Sequence, residues 1–260
     1  MKIRSQMSIL AAIFFVLLNV NNASCQVSQE AALQSVDELL SHGENQQAWD
    51  LLQGLPEDDV GCVEILWRMA RTQYEMGRLA ESGEQALGFF QAAEKHARAA
   101  MKEAPDKSNG YKWLAIALGA QAKYTDTETQ VRQSREIKAS IEKAIALTPE
   151  DDIAYLVLSR WHYKISELSF LARSFANIVY GELPKASLNQ AENLVLQAIG
   201  LHDRLSHRYN LGKVYDRMDR RDDARNQYQQ ALLLPVTFPE EAEEQAKARE
   251  KWQKRTTKSQ

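Results

Sequence analysis

Tyr209-Asn210-Leu211-Gly212-Lys213-Val214-Tyr215 is followed, nine residues after its last tyrosine, by Ala224-Arg225-Asn226-Gln227-Tyr228-Gln229-Gln230-Ala231, and Pro235 closes the stretch. Residues three and four apart share a helix face, so Leu211, Gly212 and Tyr215 lie together, as do Ala224, Tyr228 and Ala231. Small residues let two helices approach closely, and the aromatics fill the space between them. The stretch therefore reads as a helix hairpin ended by a proline.

Three earlier stretches repeat the pattern in stretched form. Trp67-x2-Ala70-Arg71-x2-Tyr74 pairs with Ala93-x3-Ala97-x2-Ala100 and Pro105. Tyr111-x2-Leu114-Ala115-x2-Leu118 pairs with Ile137-x3-Ile141-x2-Ala144 and Pro149. Tyr155-x2-Leu158-Ser159-x2-His162 pairs with Ala191-x3-Val195-x2-Ala198. The leading residues Trp67, Tyr111 and Tyr155 are 44 apart. The pattern is that of tetratricopeptide repeats. It predicts an all-α, right-handed superhelix of tetratricopeptide-like hairpins. The gap between first-helix and second-helix motifs is nineteen residues in two of these copies and twenty-nine in the third. The extra residues predict longer helices or an ordered edge loop. The stripe Ile165, Leu168, Ala172, Phe175 and Val179 predicts that the helix from about Asp151 runs on to about Tyr180. Gly181-Glu182-Leu183-Pro184 then breaks it, and Ser187-x-x-Gln190 caps the next helix, which Gly200 ends.

Around this core the chain divides into residues 1–25 as a signal peptide, 26–58 as an N-terminal helical pair, 59–235 as the repeats, and 236–260 as a polar capping helix and tail. Lys2 and Arg4 precede an apolar run from Met7 to Val20, with the small residues Ala23-Ser24-Cys25 after it. The run is short for a spanning helix, so the expectation is export to a secreted, periplasmic or lumenal compartment. Acylation of Cys25 would tether the chain to a membrane. Cleavage near Cys25 or Gln26, or retention of the segment as an anchor, are the alternatives. Cys62 has no partner for a disulfide framework and reads as a core thiol.

The composition is 44% hydrophobic and 26% charged over 260 residues, with 11 Gly and 6 Pro and a formal charge of −3. Sparse helix breakers agree with long helices, and the acidic balance argues against a nucleic-acid partner. None of the five histidines forms a metal pair on one helix face, and His202 and His207, five apart, are expected to point differently. No phosphate loop or nucleophile elbow is present. The chain is therefore read as a non-enzyme, with no catalytic residue, metal or cofactor.

Binding is the better prospect. In stacked hairpins the first helices line the concave face. Residues one and five after each leading large residue select Arg68, Thr72, Lys112, Ile116, Leu156, Arg160, Tyr209 and Lys213, and one further turn adds Tyr163. Four cations in an acidic protein suit an anionic ligand, either an acidic peptide of a protein partner or a phospholipid head group. The alternative is an ordinary solvated helix face. Trp67, Trp113 and Trp161 are expected in the core. The stripe of Leu168, Phe175 and Val179 reads as core or edge packing, or as an acyl-chain lining.

Several segments resemble the regulator of microtubule dynamics family. They are Leu66-Trp67-Arg68-Met69-Ala70-Arg71, Tyr111-Lys112-Trp113-Leu114-Ala115-Ile116-Ala117-Leu118, and Ile141-Glu142-Lys143-Ala144-Ile145 with Thr148-Pro149-Glu150-Asp151. The most specific is Arg160-Trp161-His162-Tyr163 followed by Ser166-Glu167-Leu168-Ser169. The resemblance implies a tetratricopeptide-like fold. It also implies association with microtubules, mitochondria or membrane contact sites, and phospholipid binding in some members. A microtubule role requires that the repeats face the cytosol.

Overall fold

The computed structural model describes residues 30–55 and 62–256. The signal-peptide and Cys25 expectations and the end of the tail lie outside those residues, and the core-thiol expectation falls on the Cys62 side chain, which is outside the described side chains. Twelve helices and no strand occur among the described residues. They are α1 (30–41), α2 (Asn45–Gln53), α3 (Cys62–Arg78), α4 (Gly83–Glu103), α5 (Ser108–Gln121), α6 (Thr127–Leu147), α7 (Asp152–Ser166), α8 (Phe170–Tyr180), α9 (Leu188–Leu201), α10 (Leu205–Arg217), α11 (Arg221–Leu233) and α12 (Pro239–Thr256). None is long and apolar enough to cross a membrane.

The hairpins are α3/α4, α5/α6, α7/α9 and α10/α11, as the motif spacing requires. Side-chain oxygens start most of the second helices: Ser82 accepts from Gln85 N–H, Asp126 from Thr129 N–H, and Ser187 from Gln190 N–H. The α9 helix passes Gly200 by one residue and ends at Leu201. The expected lengthening is real: α4 and α6 each have 21 residues against 13 in α11. First helices pack on first helices, α3 on α5, α5 on α7 and α7 on α10, giving the inner row of a superhelix. Ala70, Ala97, Leu114, Leu118, Ile141, Ala154 and Trp161 form the central core, and Trp113 packs against it. Trp67 is half-buried at its edge and donates its indole N–H to Glu64.

The small-plus-aromatic motif works by contact. A Cβ on Gly212 would stand 2.6 Å from Cε1 of Tyr228. Tyr228 is fully buried and its hydroxyl donates to Asp216 at 2.6 Å, so the ring has no room to yield. Gly212→Ala is therefore expected to lower unfolding free energy by about 2 kcal/mol through overpacking, read as a shifted urea midpoint.

The third hairpin differs from expectation. The helix does not run on to Tyr180; it ends at Ser166 and restarts at Phe170. Ser169 accepts from Ala172 N–H and so caps a new helix, while Arg173 adds a bond to the carbonyl of Ile165 at the break. The resulting α8 lies outside the stack against α6, held by Ala176 and Leu183 packed with Val131. Arg135 donates to the carbonyls of Tyr180 and Glu182, pinning the segment that follows. The remaining apolar face is at the surface: Leu171 is 78% exposed, Ile178 84% and Phe175 58%. Leu168 and Val179 are exposed as well, so this stripe is not core.

Candidate functional site

The inner row is not open. The C-terminal helix, expected as a polar cap, packs on α11 and α10 and extends its N-terminal half over the inner row. Pro239 Cγ lies 3.4 Å from where a Cβ on Gly43 would stand, which brings the start of α12 to the turn between α1 and α2. The ring of Phe238 sits between the guanidinium groups of Arg71 and Arg204, 6.0 and 5.4 Å from its centroid. Glu240 pairs with Arg78 of α3 at 3.5 Å, and Glu244 pairs with Arg160 of α7 at 2.8 Å. Fully buried Ala248 packs into the cluster of Leu156, Tyr209 and Tyr215, with Trp252 beside it.

Glu241 is fully buried. One carboxylate oxygen accepts from Ser206 N–H in the first turn of α10, and the other from Thr237 and Phe238 N–H at the start of α12. A single anion thus serves two helix N-termini, where unpaired N–H groups and the helix dipole both favour negative charge. Burial pushes the Glu244 carboxyl up, with Arg160 and Lys213 opposing the shift. Glu75 is raised by burial and then by the nearby charge of Glu240.

The sequence-selected residues divide into three groups. Arg160, Tyr163, Tyr209 and Lys213 stand together where α7 and α10 face Glu244. Arg160 also donates to the side-chain oxygen of Asn210, and burial pushes the hydroxyls of Tyr163 and Tyr209 up to about 12. Ile116 is half-buried on α5. The others are buried or paired within the fold. Thr72 is fully buried and returns its hydroxyl to the carbonyl of Arg68, so it faces no groove. Leu156 is 3% exposed and Tyr209 7%, and both belong to the core under α12. Arg68 stacks on Trp67 and bonds Asp37 and Glu64, tying α1 to α3. Lys112 is paired with Asp151 at 2.6 Å. Spacing along single helices missed Arg71, Arg78 and Arg204, which the superhelix turns toward the same face. Only the acidic run Glu240-Glu241-x-Glu243-Glu244 hinted at their partner.

Lys213 differs from the other three selected cations in having no carboxylate within salt-bridge distance among the described residues. Its ammonium lies over the rings of Tyr163 and Tyr209, 5.0 and 5.7 Å from their centroids. Burial, with Arg160 and Lys164 adding to it, pushes its pKa down to about 8. Between about 8 and the ordinary value of 10.5 the folded state has released a proton that the unfolded chain retains. Stability from this group therefore rises with pH across that window, and its cost is complete below it. Lys213→Met is expected to be more stable than the parent by about 1 kcal/mol at pH 7, with the difference shrinking toward pH 10 in urea titrations.

A second polar cluster lies at the root of the same face. Buried Asp152, the first residue of α7, receives Arg204 Nε at 2.5 Å, and its oxygens lie 3.3 Å from His202 Nδ1 and His207 Nε2. The two histidines therefore converge. They sit on either side of the turn between α9 and α10, so single-helix geometry does not govern them. No group of three metal-ligating side chains occurs among the described residues.

The family described as regulator of microtubule dynamics protein 1-3 matches residues 32–256, all of the repeats and α12. The chain belongs to the regulator of microtubule dynamics family. Within the family, regulator of microtubule dynamics protein 3 of Xenopus laevis is 30% identical over 182 residues, covering 69% of this chain and 39% of that protein. Protein 2 of Homo sapiens is 24% identical over 224 residues, covering 85% of this chain and 54% of its own length. The chain thus spans about half or less of these relatives. Among solved structures, TTC0263, a thermophilic tetratricopeptide-repeat protein of Thermus thermophilus, superposes with a TM-score of 0.64 at 20% identity. That match covers 85% of this chain and 98% of the other, and supports the tetratricopeptide-like fold.

Proposed function

We propose that this chain is a non-enzymatic, exported scaffold that binds a protein or peptide partner through its concave face. One observation carries the reading: an acidic helix lies along the inner row, its glutamates against Arg78 and Arg160. The face therefore has the charge, curvature and small-residue spacing to hold a helix of negative sign. The test is binding of an acidic helical peptide followed by fluorescence anisotropy. Arg160→Glu is expected to weaken binding at least tenfold, and an unchanged affinity would count against the concave face.

Two other readings each have an observation in their favour. Phospholipid binding is favoured by the exposed Leu171, Phe175 and Ile178 on α8, although the inner row itself is charged rather than apolar. Copurified lipid in native mass spectra, without peptide binding, would support it. A membrane-anchored, microtubule-associated role is favoured by the names of the curated relatives. It requires an intact N-terminal segment that leaves the repeats in the cytosol. The mass of the mature N-terminus from the native host decides between that role and export.

A further inference from the structure

We infer that α12 is a resident, displaceable ligand of the concave face, and that the partner this face takes is an acidic amphipathic helix of the same register. The inference rests on the concave face being a protein-binding surface. Three observations lead to it.

The first is how α12 is held. Among its described side chains, Glu241 and Ala248 are the fully buried ones, and the rest of its inward face is charged or half-exposed. Attachment to α3 and α7 is therefore mainly electrostatic: Glu240 to Arg78, Glu244 to Arg160, and Phe238 between Arg71 and Arg204. Such contacts weaken with salt, the Glu240 pair more than the one with the more buried Glu244, and can exchange for equivalent ones.

The second is that α12 fits imperfectly. Arg78 already holds Glu75 of its own helix at 2.7 Å, and Glu240 comes to the same guanidinium nitrogen at 3.5 Å. Two carboxylates thus share one cation, with Glu75 itself largely buried. Lys213 also waits beside Glu244 with no carboxylate within salt-bridge reach among the described residues, so a competitor with one more acid near it would gain a partner α12 does not supply.

The third is the connection. Residues 234–238 join α11 to α12 without helix, and Pro235 and Pro239 bracket the joint. A non-helical joint lets α12 leave the face without unwinding the last hairpin. The partner register follows from α12: carboxylates four apart (240 and 244), then a small residue (248) and an aromatic (252) on one stripe.

The test uses the full chain and a fluorescent peptide of residues 237–256 as the probe. The parent is expected to bind weakly, because its own helix competes. Glu240→Gln combined with Glu244→Gln loosens the resident helix and is expected to bind the probe at least tenfold tighter. Adding Arg160→Glu should abolish that gain. Circular dichroism and the urea midpoint show in each case that the repeats remain folded. Equal affinity of the parent and the Glu240→Gln/Glu244→Gln variant would overturn displacement while leaving a peptide-binding face in place. No binding to any folded variant would overturn the concave-face reading itself.

Discussion

Asp152→Ala is expected to cost about 3–5 kcal/mol of stability, the range for removing one partner of a buried ion pair. Asp152 is 5% exposed and is the anion about which Arg204, His202 and His207 are arranged. His207 is fully buried, and its Nδ1 lies 2.8 Å from the carbonyl oxygen of His202. A carbonyl only accepts, so Nδ1 carries the proton and donates. Burial pushes the pKa of His207 down, which leaves Nε2 without a proton at neutral pH, facing the carboxylate. Arg204 is then the group that neutralises Asp152. Alanine would strand that guanidinium against Phe238 alone. Asp152→Asn should be milder, about 1 kcal/mol, because an amide oxygen in the Oδ2 position can still accept from Arg204 while the amide nitrogen faces His202. The lowered pKa also sets a pH dependence. The unfolded chain binds the His207 proton more readily, so stability falls as pH drops below about 6.5. Urea titrations of the two variants and the parent between pH 5.5 and 7.5 check all three statements.

Glu241→Ala is expected to cost about 3 kcal/mol, because the buried N–H of Ser206 and the part-buried N–H groups of Thr237 and Phe238 lose their acceptor together. The loss should be local. Ser206 sits at the start of α10, and Thr237 and Phe238 at the start of α12. Hydrogen exchange is expected to show α12 and the first turn of α10 opening, while α4, α5 and α6 stay protected. Glu241→Gln keeps one acceptor oxygen and should fall between alanine and the parent. Uniform loss of protection along the chain would mean that α12 is an integral part of the stack and not a helix laid upon it.

The hairpins were legible because their evidence is local. Leu211-Gly212 and Tyr228 meet as their spacing says, and Ala93, Ala97 and Ala100 are fully buried as the alanine pattern says. The break at Ser169 was not legible, since Ile165, Leu168 and Ala172 keep helical spacing across it. What decides there is one hydroxyl taking the N–H of Ala172. The convergence of His202 and His207 was hidden by the turn between them. The concave face was half legible. Arg160, Tyr163 and Lys213 come together beside Glu244, but Thr72, Leu156 and Tyr209 are buried. Repeat geometry gives the direction of a side chain and not what lies over it. Nor does the polar composition of residues 240–254 distinguish a solvated cap from a helix laid along basic residues. That choice depends on the curvature of the whole superhelix, which brings Gly43 and Pro239, 196 positions apart in sequence, into contact.

That contact offers a direct measurement. A Cβ at position 43 would lie 3.8 Å from Cβ of Pro239, which is about the mean Cβ separation in a disulfide. Gly43 has a φ of +79°, so a side chain there costs about 1–2 kcal/mol, a loss the folded chain is expected to bear. With Cys25→Ser and Cys62→Ser removing the native thiols, Gly43→Cys and Pro239→Cys are expected to join under mild oxidation. Mass spectrometry would then find a peptide around residue 43 linked to one around residue 239, with neither thiol open to alkylation. Two freely alkylated thiols in a folded chain would contradict a C-terminal helix seated on the concave face.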